Sequence, residues 1–242
     1  MNLAGVFAAE QGDLTSARRW FEDALAAARQ IGDEKRIAGG LANLGGVLFL
    51  AGRHGEARAH YKEALALSRL RGDDRSVAQC LENLACIASH LCELERARTL
   101  IDESLDSALA DGNLDQIVLS QRTRGQVLLV AREVDEAARV LQQAVTHAHE
   151  LGRLQLLADC LDTVAVVAVE RDDPVRAATL VGAADSLRAT SGAARLPDLL
   201  GLHERALESA RRTLGGDDSF GDYVARGRDL SLDDVLDLAR VA

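Results

Sequence analysis

The chain repeats itself at one fixed interval, the distance from Gly32 to Gly72, and that period restricts the fold more than any other feature. Gly32, Gly72, Gly112, Gly152 and Gly192 form one column. Ala17, Ala57, Ala97, Ala137 and Ala177 form a second, and Ala24, Ala64, Ser104, Ala144 and Ala184 a third. A bulky column holds Phe21, Tyr61, Ile101, Leu141 and Val181. No insertion or deletion disturbs the register, so five copies of one supersecondary unit are expected, each burying its apolar face on its neighbour.

Two helices are legible in each unit. Leu41, Leu44, Gly45 and Leu48, then Leu81, Leu84, Ala85 and Ala88, follow the i, i+3, i+4, i+7 pattern of a buried stripe. Ala57, Tyr61, Ala64, Leu65 and Ser68 make a second stripe, opposite the polar face of Glu56, Lys62 and Glu63. The recurrent Gly follows this second helix, where a left-handed C-terminal residue is expected. Gly12-Asp13, Gly52-Arg53 and Asp172-Asp173-Pro174 mark the turn inside a unit. In the last of these, Asp173 caps the helix and Pro174 takes its first position. Composition agrees. One Trp, two Tyr, four Phe and two Pro in 242 residues, with 48% of the chain apolar, disfavour a sheet and leave Ala, Leu and Val to build an all-α core.

The spacing of Leu41, Leu44, Gly45, Leu48, Ala57, Tyr61 and Ala64 resembles the tetratricopeptide repeat. The likeness spans positions 1–192, with a truncated first unit and no Pro closing the second helix. Each unit holds about 40 residues instead of the family's usual length of about 34 residues. The resemblance implies a right-handed superhelical solenoid of antiparallel helix pairs, with the first helix of each pair lining a concave groove. Residues 193–242 leave the register and are expected to form a three-helix cap. Pro197 to Leu214 is its first helix, closed by Gly215-Gly216. Asp217 to Arg226 is the second, and Ser231 with Asp234 forms a capping box before the third, with Leu230 and Val235 as a hydrophobic staple. The run Ala177 to Ala184, with Phe220, Tyr223, Gly227 and Leu230-Ser231-Leu232, resembles the C-terminal end of large actinobacterial-type regulators. Those join a STAND-class ATPase to tetratricopeptide repeats and a LuxR- or SARP-type DNA-binding domain. Aligned on the period, the first helix begins about five residues before Met1, so the chain is expected to be a fragment of such a protein. Its apolar first helix and Trp20 are then expected to drive self-association through the N-terminal end.

Catalytic and metal signatures are missing. Gly40 to Gly46 has the glycine spacing of a phosphate loop, but Gly46 stands where the lysine must be. Neither a nucleophile elbow nor a His-Glu-x-x-His pair occurs. Cys86 and His90 share a helix face yet are two ligands of a required four. The expectation is a protein without enzymatic activity or cofactor. Lys plus Arg is 28 against 38 Asp plus Glu, a net charge of −10 that argues against binding nucleic acid or anionic membrane directly. Ile37 to Gly52, the longest stretch without charge, is too short and glycine-rich to span a bilayer, and a cytoplasmic chain is expected.

Function is therefore expected on the first helices, on the face turned from the core. Asn43, Asn83, Thr123 and Thr163 form a ladder there at the repeat spacing, joined by Phe49, Glu82, Cys86, Arg122, Gln126 and Asp162. In peptide-binding tetratricopeptide domains Asn at the matching place holds a ligand's backbone, and the resemblance carries that role to Asn43 and Asn83, with the threonines as weaker stand-ins. A competing account has each ladder residue bonded within the protein. Partners are expected to be a protein, a peptide or another domain of the same full-length chain. A stand-alone adaptor, a self-assembling scaffold and a nucleic-acid-contacting helical array are the alternatives.

Overall fold

The computed structural model describes residues 2–192, 195 and 201–240. Among these there are thirteen helices and no strand. Ten helices form five pairs: α1 (Asn2–Glu10) with α2 (Leu14–Ile31), α3 (Glu34–Leu50) with α4 (His54–Leu70), and α5 (Asp74–His90) with α6 (Leu94–Asp111). The fourth pair is α7 (Leu114–Val130) and α8 (Val134–Glu150), and the fifth α9 (Leu154–Glu170) and α10 (Pro174–Ser191). Then come α11 (Leu202–Thr213), α12 (Asp217–Arg228) and α13 (Leu232–Ala239). The helices fall into two compact units, Met1–Gly112 and Asn113–Ala242, divided at a repeat boundary. The chain is an all-α helical-repeat solenoid.

The period divides into two equal steps, because the turns on both sides of each helix use the same backbone geometry. Gly32, Gly72, Gly112, Gly152 and Gly192 sit at φ between +62° and +69°, closing the second helix of each pair as expected. The turn inside each pair also needs a left-handed residue. Gly12 and Gly52 supply it, but Cys92, Arg132 and Asp172 hold φ near +60° with side chains, at a cost of order 1 kcal/mol each. Short polar caps then restart the chain: the carboxylates or amide of Asp13, Asp33, Asp73, Asn113 and Asp173 accept the backbone N–H three residues on.

Within a pair the helices touch through a matched column of sizes. The ring of Phe21 lies over Gly5, that of Tyr61 over Gly45, and Leu141 over Gly125. A Cβ at these glycines would sit 2.6–2.9 Å from the facing side chain. Where the bulky column is slimmer, at Ile101 and Val181, the facing column carries Ala85 and Ala165, all of them buried. Core volume is thus held nearly constant from pair to pair. Two polar intruders find partners. Ser104 donates its hydroxyl to the Ala78 carbonyl at 2.8 Å, and Gln121, where three of the other pairs have Leu, meets His147 at 3.0 Å.

The C-terminal helices pack on the last pair. Pro197 lies outside the described residues, and α11 is described from Leu202 to Thr213, ending at Gly215 and Gly216 with φ of +87° and +123°. The second helix runs past the expected Arg226 to Arg228. Its crossing with α10 is closed by two glycines: a Cβ on Gly182 would lie 1.9 Å from the Val224 carbonyl oxygen, and one on Gly227 equally close to that of Thr179. Ser231 caps α13 by accepting from the Asp234 N–H at 3.2 Å. The expected return bond from Asp234 to the cap's backbone is replaced by the Ser231 hydroxyl donating to the Asp234 carboxylate at 2.6 Å.

Candidate functional site

The ladder residues meet different surroundings in the two units. In the first, Asn43 on α3 and Asn83 on α5 are half-buried, with Glu82 beside them. The Asn43 side chain makes no hydrogen bond to any described residue, whereas that of Asn83 donates to the Gln79 carbonyl of its own helix at 2.9 Å. Cys86 and Phe49 lie beneath this surface, both buried. Phe49 meets the rings of His54 and His90 edge-on, with centroids 5.1 and 6.2 Å away, and the two imidazoles are 4.1 Å apart. Burial, and then the neighbouring His90, hold His54 below the ordinary histidine pKa.

In the second unit the same column is buried. Thr123 has no exposed surface and Thr163 very little, its hydroxyl 3.3 Å from the Asp159 carbonyl one turn back. Arg122 and Gln126 are half-buried, as is Arg124, which takes the column of Leu44, Leu84 and Val164. Helix α9 is buried on every side from Leu157 to Ala168 because α10, α8 and α7 pack around it and α11 covers the face that carries Asp162 and Val166. A helix apolar all round needs such a second cover, and here the chain supplies it from its own C-terminal segment.

Asp162 belongs to an ionic cluster at that junction. Arg188 stands in a column otherwise held by the small buried residues Ala28, Ser68, Ala108 and Ala148. Its guanidinium is 2.8 Å from the Asp159 carboxylate and also donates to Asp162. Arg195 reaches Asp185 at 2.8 Å and approaches Asp162 at 3.6 Å, and His203 of α11 lies 3.3 Å from the Asp162 carbonyl. Burial pushes the Asp159 carboxyl up despite the pull of Arg188. Arg188 is raised because Asp162 and Asp159 outweigh its burial. Among the described residues, one oxygen of each aspartate and two nitrogens of Arg188 have no hydrogen-bond partner, though His203 comes within 3.8 Å of that Asp162 oxygen. Two aspartates of α9 and an arginine from the far end of α10 are thus gathered against α11.

All four cysteines are free, and burial pushes the Cys80 and Cys160 thiols up to about 12, out of the reactive range. Among the described residues no three of His, Cys, Asp and Glu are grouped to hold a metal, and no helix is long and apolar enough to cross a membrane.

Helices of 17 or 18 residues in four of the five pairs, joined by left-handed turns and interlocked through a small-against-large column, define a helical-repeat architecture. The tetratricopeptide repeat family matches at residues 1–67 and again at 36–110, and this chain carries a domain of that type. No curated protein matches the sequence. Solved structures share the fold. A Rap protein complexed with competence and sporulation factor is 15% identical, with a TM-score of 0.69 over 98% of this chain and 73% of that one. BtubC from P. vanneervenii is 21% identical, with a TM-score of 0.62 over 80% of each chain. A signal transduction ATPase with numerous domains and a tetratricopeptide repeat sensor, from Pyrococcus horikoshii, is 16% identical with a TM-score of 0.62. The match takes in 98% of this chain and 37% of that protein.

Proposed function

We propose that this chain is the repeat domain of a larger ATP-driven cytoplasmic transcriptional regulator, and that its first unit holds an extended partner peptide on the exposed face of α3 and α5. The observation that carries the reading is the contrast within the ladder: Asn43 is half-exposed and unbonded, while the equivalent surface of α9 is already filled by α11. An Asn amide offers a donor and an acceptor to a peptide unit and so binds backbone whatever the side chains. The Rap protein complexed with competence and sporulation factor, and the signal transduction ATPase with its repeat sensor, support a regulatory role for this architecture. A net charge of −10 disfavours DNA, which belongs to another domain of such a regulator. Leu3, Phe7 and Trp20, 86%, 62% and 42% exposed, are the apolar edge through which the unit self-associates or docks on other parts of a longer chain.

The test is a displayed peptide library selected against the intact chain. Binders are expected to lose at least tenfold in affinity on Asn43→Ala with Asn83→Ala, while the melting temperature moves by no more than the equivalent of about 1 kcal/mol, since neither side chain bonds another helix. Unchanged affinity overturns the reading. So does a large loss of stability, which would make the ladder structural.

A further inference from the structure

In the bulky column of Phe21, Tyr61, Ile101, Leu141 and Val181, only Tyr61 carries a hydroxyl. In the column of Val6, Gly46, Cys86, Gln126 and Val166, on the face of the first helices turned from the core, only the second repeat has glycine. The two exceptions meet. The Tyr61 ring crosses α3 over Gly45 and ends at Gly46, where a Cβ would stand 3.3 Å from the hydroxyl oxygen. Gly46 follows Asn43 at i+3, so both lie on one face, a turn apart. Tyr61 is 3% exposed, and its hydroxyl makes no hydrogen bond to any described residue. A buried phenol usually finds a partner. Here the way to one is the gap left by Gly46, beside the unbonded side chain of Asn43.

On the reading of α3 and α5 as a peptide face, we propose that the Tyr61 hydroxyl is its specificity-determining donor, taking the side-chain carboxamide oxygen of an Asn or Gln in the bound segment. An accepting oxygen stands about 2.8 Å from a hydroxyl, so the acceptor occupies nearly the place that a side chain fills at this position in the other repeats. A peptide backbone held by Asn43 does not descend that far. The Asn43 amide ends two bonds beyond its own Cβ, whereas the Tyr61 hydroxyl, on a side chain sealed from solvent, lies at the depth of a Cβ. The acceptor therefore hangs from a side chain. Burial selects a neutral one, because dehydrating a carboxylate costs far more than dehydrating an amide and Tyr61 offers one neutral donor against it. Among neutral aliphatic side chains that bear oxygen, Asn and Gln reach furthest. Burial first, then Cys80, Cys86 and Glu82 of α5, hold the phenol above its ordinary pKa, so it keeps the proton it donates.

Peptides selected from a displayed library on the intact chain are the probe, with affinity and melting temperature measured on each variant. They are expected to carry Asn or Gln at one fixed position. Tyr61→Phe weakens them about fivefold, the worth of one neutral hydrogen bond. Its melting temperature stays unmoved, since Phe21 already packs over Gly5 in the same way. Gly46→Ala, whose methyl takes the acceptor's place, weakens them at least as much. Replacing the peptide's carboxamide residue by Leu costs the unaltered chain the same factor and costs Tyr61→Phe nothing further. If Asn43→Ala with Asn83→Ala abolishes binding and Tyr61→Phe leaves it unchanged, the peptide face stands and the role of Tyr61 is overturned. Additive effects of the Tyr61 and peptide replacements, or a lower melting temperature for Tyr61→Phe, overturn that role as well. Binding insensitive to every one of these variants overturns the face and the role of Tyr61 together.

Discussion

Replacing Gly45 by Ala pits helix propensity against packing, and the structure says packing wins. In an exposed helix interior the change stabilises by about 1 kcal/mol. At position 45 the new methyl would lie 2.9 Å from two carbons of the Tyr61 ring and 3.1 Å from a third. That ring is only 3% exposed, so it cannot swing into solvent, and relief requires α3 and α4 to separate. Overpacking of one methyl costs roughly 1–3 kcal/mol, leaving a net loss of about 0–2 kcal/mol. Gly39 supplies the control: it lies in the same helix with nothing within 4 Å of a Cβ, and its Ala variant should gain the full propensity term. The two alanine variants should therefore differ by about 1–3 kcal/mol, or several degrees in melting temperature followed by circular dichroism. Tyr61→Ile should rescue Gly45→Ala specifically, recreating the Ala85–Ile101 pairing of the next repeat. Equal stabilities for the two alanine variants, or additive effects of Gly45→Ala and Tyr61→Ile, would refute the size-matching argument.

Cys92→Gly is expected to stabilise the first unit by about 1 kcal/mol in urea denaturation, because Cys92 is exposed and holds φ at +59°. Gly182→Ala should release α12 from α10, read as accelerated amide exchange in Asp217–Arg228, since the methyl would fall 1.9 Å from the Val224 carbonyl oxygen. Because His54 titrates below its unfolded value near 6.5, its contribution to stability is present above that pH and is lost as pH falls through the lower folded value. The melting temperature should accordingly fall on acidification below about pH 6.5, with a shallower slope in His54→Leu.

The period made most of the fold readable before any coordinates. It marked the left-handed glycines, the stripes Leu41–Leu48 and Ala57–Ser68, and the cap at Asp173, because each follows from residue type at a fixed place in a regular helix. The second left-handed column is illegible in the sequence where Cys92, Arg132 and Asp172 replace glycine, since those residue types carry little conformational signal. Its position midway between successive glycines of the first column was the available clue. On the candidate site, Asp162 and Thr163 read as surface because helical geometry says which way a side chain points, and nothing in it says that α11 will come to lie there. Arg188, in a column otherwise of Ala and Ser, was a signal of buried charge that the sequence did carry. The aromatic corner of Phe49, His54 and His90 was equally hidden, being assembled from three helices.

Hydrogen–deuterium exchange of the intact chain with a library-selected peptide measures the central claim directly. The account predicts new protection in α3 and α5, centred on Asn43 and Asn83, with α9 unchanged under its cover of α11. Protection confined to α4 and α6, or appearing in α9 with loss of protection in α11, would contradict it.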